Sequence, residues 1–229
     1  MIVLAVDTAT KAASAALIDN GEIRSEFLIN NRTMHSRNLM PLVEEAVKAA
    51  GIKKSDIDLF ASTVGPGSFT GVRIGVATVK AMAYALKKPV VGINTLDCLA
   101  YDVCEYEKLI CPVLDARNEQ VFCAVYRKDE NNTLERLTDY MGIPIEELME
   151  LLEGYQKDVI FTGDAYEMCL RREPSRKFRK YGVHRGAYMP KASTVGLMAL
   201  HEPFTDPALL KPFYLRMSQA ERLMGSKNE

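Results

Sequence analysis

Apolar and polar positions along the chain fall into short blocks, and the blocks restart halfway. Ile2 to Val6 is a continuous, mostly β-branched apolar run, the pattern of a strand buried on both faces. Ala12 to Ile18 predicts a second strand. Glu22 to Ile29 alternates and predicts a third, joined to the second through the hairpin turn Asp19-Asn20-Gly21. From Met34 to Ala50 the apolar residues Leu39, Leu42, Val43, Ala46, Val47 and Ala50 share one stripe, which predicts a helix closed by Gly51. Ile57 to Val64 reads as a strand, as does Pro89 to Ile93, and Asn94 or Thr95 caps a helix running to about Tyr106.

Between those last two strands lies the stretch Thr63-Val64-Gly65-Pro66-Gly67-Ser68-Phe69-Thr70-Gly71-Val72-Arg73-Ile74-Gly75. Its glycines and proline turn the backbone after a strand, and Ser68 or Thr70 caps the helix that runs from Gly71 to Leu86. That helix is apolar nearly all round, so it needs cover on more than one side. Arg73 and Lys80 interrupt it, which argues against a membrane span. The second cover is either more of this chain or another protein.

The order β-β-β-α-β-α-β-α gives a mixed sheet, antiparallel first and parallel afterwards. Then the pattern recurs. A shift of 108 places Asp7 on Asp115, Leu4-Ala5-Val6 on Pro112-Val113-Leu114, and Ala12–Ile18 on Gln120–Tyr126. A third strand follows near Leu134 to Thr138, and Asp158 to Phe161 runs into Thr162-Gly163-Asp164, matching Ile57 to Gly65. The chain therefore divides into a first lobe, 1–108, and a degenerate copy, 109–229. In the copy, Glu167–Arg171 and Ala192–His201 read as helical. Leu209 to Arg216 reads as an extended segment that docks back, and Met217 to Glu229 as a frayed tail.

Composition narrows the function. The 229 residues are 48% hydrophobic and 26% charged, with a net charge of −1, so the whole surface does not advertise nucleic-acid binding. A local basic cluster, Arg171, Arg172, Arg176, Lys177, Arg179, Lys180 and Arg185, fits a solvated loop better than a tRNA contact. The five cysteines, Cys98, Cys104, Cys111, Cys123 and Cys169, have no Cys-x-x-Cys spacing and read as reduced thiols of a cytoplasmic protein. The N-terminus lacks the form of a signal peptide.

Asp7-Thr8-Ala9-Thr10 sits in the turn after the first strand. Its carboxylate suits magnesium, and its hydroxyls and amides suit a phosphate; local turn capping is the simpler role. Asp115 stands at the matching place of the second half, with Gly163-Asp164 nearby in the pattern. Asp7, Thr8, Thr10, Asp115, Gly163 and Asp164 are therefore the candidate nucleotide-binding residues. The glycine stretch is no P-loop, because Val72 and Arg73 stand where Lys-Ser or Lys-Thr is needed. His35, His184 and His201 include no pair four apart, so no zinc or iron site is expected.

Several motifs together resemble one family. They are Asp7-Thr8-Ala9-Thr10, His35-Ser36 with Leu39-x-Pro41, the stretch from Gly65 to Gly75, Asp115-Ala116-Arg117, Gly163-Asp164 and Tyr214-Leu215-Arg216. The resemblance is to TsaB, also called YeaZ, from Met1 to about Arg216. It implies an α/β, actin-like and Hsp70-like (ASKHA) fold of two related lobes, each a mixed five-stranded sheet with flanking helices. It also implies a non-catalytic subunit in making N6-threonylcarbamoyladenosine at position 37 of ANN-decoding tRNAs. Such proteins pair with the paralogue TsaD, which carries a His-x-x-x-His metal site, and with the ATPase TsaE, and they reach tRNA through the complex. This chain lacks that metal motif and any readable proteolytic nucleophile. No intrinsic cofactor is expected, and ATP or ADP with magnesium would sit at the shared interface. The pairing surface implied is the two first-lobe helices, with Leu39, Val43, Val72, Gly75, Val76, Val79 and Met82 at or near it. The same surface would form a homodimer in isolation. The other reading is an ATP-dependent kinase or carbamoyl-type transferase that uses Asp7, Thr10 and Asp115 in the cleft.

Overall fold

A computed structural model describes residues 1–31, 35–103, 107–131, 133–173, 175, 177–183 and 188–216. The first lobe is β1 (Ile2–Asp7), β2 (Ala13–Asp19), β3 (Glu22–Ile29), α1 (His35–Ala50), β4 (Leu59–Gly65), α2 (Phe69–Leu86), β5 (Val90–Asn94) and α3 (Thr95–Tyr101). Its strands lie in the order β3-β2-β1-β4-β5. The two hairpins pair antiparallel, and β1, β4 and β5 pair parallel. Period-two alternation assigns the two faces. Leu4 and Val6 point to a core shared with α1 and α2, and Val3 and Ala5 to a core on the opposite face.

The second lobe contains β6 (Leu109–Asp115), β7 (Gln120–Cys123), β8 (Tyr126–Lys128), β9 (Leu134–Arg136), β10 (Met141–Pro144), α4 (Ile145–Tyr155), β11 (Val159–Thr162), α5 (Tyr166–Leu170) and β12 (Lys180–Gly182). Its main path, β10-β7-β6-β11-β12, repeats the first sheet's order position for position. This sheet has seven strands rather than five, because the strand expected over Gln120–Tyr126 breaks after Cys123 and restarts as β8, which pairs β6 and β9.

α6 (Ala192–Ala199) follows the second sheet in the chain but packs on the first. Val195 joins Val3, Ala5, Ile18 and Leu59, and a Cβ at Gly196 would lie 2.2 Å from Ile18 Cδ1. On the other side of the inter-lobe layer, Leu96 and Leu99 of α3 pack with Ile110, Leu114 and Tyr126 of the second lobe. α3 is shorter than the helix expected to Tyr106. It ends at Tyr101 with Asp102 as its cap, and Cys104 to Tyr106 lie outside the described residues. Asn94 supplies its N-cap, accepting from Leu96 N. The tail from Met217 and His184 also lie outside the described residues.

Candidate functional site

The glycine stretch builds a clamp on the β1–β2 turn. Ser68 N donates to the Ala9 carbonyl at 2.7 Å, and Thr8 Oγ1 donates to the Gly71 carbonyl at 2.7 Å. Three glycines make the approach possible. A Cβ at Gly67 would lie 2.2 Å from Ala9 O, one at Gly71 2.0 Å from Thr8 O, and one at Gly75 2.5 Å from Thr8 Oγ1. Ser68 caps α2 by accepting from Gly71 N, and its carbonyl takes Val72 N. The amides that would hold an anion at this helix start are thus partly used within the chain.

Asp7, one residue before the clamped turn, is wholly buried on the other face of the sheet, where its strand partner Ser14 accepts from Ala192 N of α6. Its Oδ1 accepts from Thr63 Oγ1 at 2.6 Å and from Ala9 N at 3.2 Å, while Oδ2 has no partner. Burial pushes its carboxyl up to about 7, against the lowering effect of the Thr63 and backbone hydrogen bonds. Thr8 is equally buried. A magnesium ion or phosphate in the cleft does not reach these two residues, because Thr8 is buried under α2 and Asp7 under the opposite face of the sheet.

An open cleft of about 720 Å³ lies beside them, between the lobes. Of the six candidate nucleotide-binding residues, Thr10, Asp115 and Asp164 line it; Asp7, Thr8 and Gly163 do not. His35 also reaches it, with Nε2 donating to the Thr10 carbonyl at 2.8 Å. Asp115 is exposed and accepts from Arg117 N at 2.7 Å. Asp164 accepts from Asp115 N at 2.9 Å, and burial raises its carboxyl, as does the Asp115 charge. Gly163 has φ +91°, and a Cβ there would lie 2.2 Å from Val113 O. The cleft's remaining walls include Lys11, Arg117, Phe122, Phe213, Tyr214 and Arg216. The described residues contain no cluster of three or more His, Cys, Asp or Glu arranged to hold a metal.

Most of the expected pairing residues face the first lobe's own core. Leu39, Val43, Val72, Val76 and Val79 are buried in the first-lobe core, and Gly75 is buried against Thr8 and Ser62. Positions 72, 75, 76, 79 and 83 form the stripe that α2 lays on the sheet, so these side chains are covered by the chain itself. A glutamate at position 75 or 76 would therefore disturb the fold rather than assembly alone. Met82 is half-buried. The face left open carries Ala77, Ala81, Tyr84 and Ala85, flanked by Ile74 and Met82; Met40 of α1 in the same lobe is also exposed. The Ala77-Ala81-Ala85 spacing was the available signal for this ridge.

The basic segment is largely neutralised. Arg171 pairs with Glu167, Arg172 with Glu119 and Glu146, Lys177 with Glu153, and Arg179 with Asp158. Lys180 Nζ donates to the carbonyls of Cys169 in α5 and of Arg172 and Glu173 after it. Arg176 and Arg185 lie outside the described residues. The described thiols, Cys98, Cys111, Cys123 and Cys169, are all free and buried. No helix among the described residues is long and apolar enough to cross a membrane.

A family model for TsaD, tRNA N6-adenosine threonylcarbamoyltransferase, matches residues 22–186. The tRNA threonylcarbamoyladenosine biosynthesis protein TsaB of Bacillus subtilis (strain 168) is 28% identical over 96% of either chain. The protein of that name from Buchnera aphidicola subsp. Schizaphis graminum is 30% identical over 78% of this chain and 85% of its own. The chain belongs to the TsaB family. Among solved structures, YeaZ from Pseudomonas aeruginosa superposes with a TM-score of 0.77 at 25% identity, over 93% of this chain and 99% of that one. The two-lobed α/β architecture expected from the motifs is present, and the TsaB stretch Gly65 to Gly75 forms the clamp over Thr8 and Ala9.

Proposed function

We propose that this chain is a non-catalytic subunit of the assembly that makes N6-threonylcarbamoyladenosine at position 37 of ANN-decoding tRNAs. In this reading it pairs with a TsaD-type paralogue, works with a TsaE-type ATPase, and meets tRNA through the complex. The supporting observation is a pairing of opposites: the transferase family model spans most of the chain, yet the chain has no two histidines four apart. A further support is the burial of Asp7, which keeps it from serving as a cleft carboxylate. Any ATP or ADP with magnesium then belongs to the shared surface of the complex, and the kinase or carbamoyl-type transferase reading loses its first-lobe carboxylate.

The docking surface in this proposal is the open face of α2 with the adjoining part of α1, around Met40, Ile74, Ala77, Ala81, Met82 and Tyr84. Small residues at four-residue spacing permit close helix approach, and a stable pairing needs on the order of 800 Å² per partner. Ala81→Glu is the test, with sedimentation of the chain alone and mixed with its paralogue. The expected result is loss of the complex, and of any homodimer, with the unfolding temperature unchanged. Full association of a folded Ala81→Glu chain would remove this face from consideration.

A further inference from the structure

The last described segment, residues 205–216, is fastened to both lobes. Thr205 and Val90 exchange backbone hydrogen bonds at 2.9 and 3.0 Å, extending the β5 edge. Lys80 Nζ of α2 then donates to the carbonyls of Ala208 and Leu210, at 3.1 and 2.9 Å. Leu210 enters the first-lobe core, and Phe213 N donates to Val64 O at 2.7 Å. A track is shaped for this path: a Cβ at Gly65 would lie 2.5 Å from Phe213 O, and one at Gly92 2.8 Å from Leu210 Cδ1.

Beyond Phe213 the segment turns to the cleft and the other lobe. Arg73 of α2 lies 3.8 Å over the Phe69 ring and donates through Nε to Tyr214 Oη at 2.7 Å, while Phe69 and Tyr214 stack at 5.0 Å. Phe213 meets the edge of Tyr140 at 5.5 Å, and Arg216 Nη2 donates to the Gly142 carbonyl at 3.0 Å. Tyr140 in turn donates to Asp97 Oδ2 of α3 at 2.6 Å. The segment thus forms part of the cleft wall and links α2 to β10.

We propose that residues 205–216 act as a latch that holds the second lobe against α2 and sets the opening of the inter-lobe cleft. Its first-lobe part is anchored by a β-bridge, a buried leucine and a lysine. Its second-lobe part is held by a ring edge and one arginine, so release occurs at that end. The proposal depends on the geometry of this chain alone and does not require the partner assignment.

Hydrogen–deuterium exchange on the full chain tests it, using Arg73→Ala and Arg216→Ala as separate variants. A latch transmits: Arg73→Ala speeds exchange by about tenfold at Met141–Pro144 in the second lobe, and Arg216→Ala does the same near Phe213. Exchange within α4 and β6 stays at the wild-type level in both. If Arg73→Ala does not fold, Tyr214→Phe removes the hydroxyl acceptor while keeping the stack, and about a threefold effect at the same remote peptide is expected. Changes confined to the mutated residue's own lobe would overturn the proposal and leave the segment a local brace.

Discussion

The two lobes share one plan and spend it differently. Both place an aspartate at the end of the central strand, Asp7 on β1 and Asp115 on β6, and both run their strands in the same order. In the first lobe β4 leads through the glycine stretch into α2, 18 residues long, which closes over the β1–β2 turn. In the second lobe β11 leads through Gly163 into α5, only 5 residues long, and Asp115 stays open to the cleft. Both turns reach the cleft, but the matching aspartate is buried in one lobe and lines the cleft in the other. The long helix that seals the first turn also presents a second, open face.

The largest effect that can break this comparison is at the clamp. Gly71→Ala puts a methyl group against the Thr8 carbonyl, a backbone atom that cannot rotate away. We expect a loss of about 3–5 kcal/mol in chemical denaturation. A change below about 1 kcal/mol would mean that α2 does not press on the turn.

Next in size is the buried carboxyl. The unfolded Asp7 loses its proton near 3.8, whereas the folded one keeps it to about 7. The native state therefore binds more protons between these values, and stability falls as pH rises from about 4 to about 7, then levels off. The difference corresponds to roughly 4 kcal/mol at most. Asp7→Asn removes this slope and should gain about 2 kcal/mol at pH 8, since its amide inherits the unpartnered Oδ2 position, with the gain vanishing below pH 4. Parallel stability curves for both proteins across that range would contradict the burial of Asp7.

The inter-lobe contact ranks third. Tyr126 Oη donates to Asp97 Oδ1 at 2.6 Å from a buried position. Tyr126→Phe should cost about 1–2 kcal/mol in thermal unfolding. The smallest effect belongs to the exposed aspartate. Asp115→Asn keeps an acceptor for Arg117 N and should alter stability by less than about 0.5 kcal/mol. An effect as large as that of Asp7→Asn would erase the distinction between the lobes.

Much of this plan was legible because it is local. The 108-residue shift aligns strand, aspartate and turn, and each of those depends on residues close in sequence. The glycine stretch announced close packing, and the clamp is that packing. What stayed illegible depends on distant partners. Nothing near α2 says which side of an all-round apolar helix meets its own sheet, so Val72, Val76 and Val79 and the open alanines look alike in sequence. α6 shows no local sign that it returns to the first sheet. The helix α4 is a different case: Ile145, Leu148 and Leu152 carry the right spacing, but no cap or glycine marks its start after Pro144. The basic segment read as a solvated loop because its partners Glu119, Glu146 and Asp158 come from elsewhere in the second lobe.

The most direct measurement of the central claim is reconstitution of threonylcarbamoyl transfer to tRNA from purified components, with this chain included, omitted and tested alone. The account predicts modification when this chain, the TsaD-type paralogue and the TsaE-type ATPase are together, and none from this chain by itself. Equal modification without the chain, or transfer by the chain alone, would contradict it.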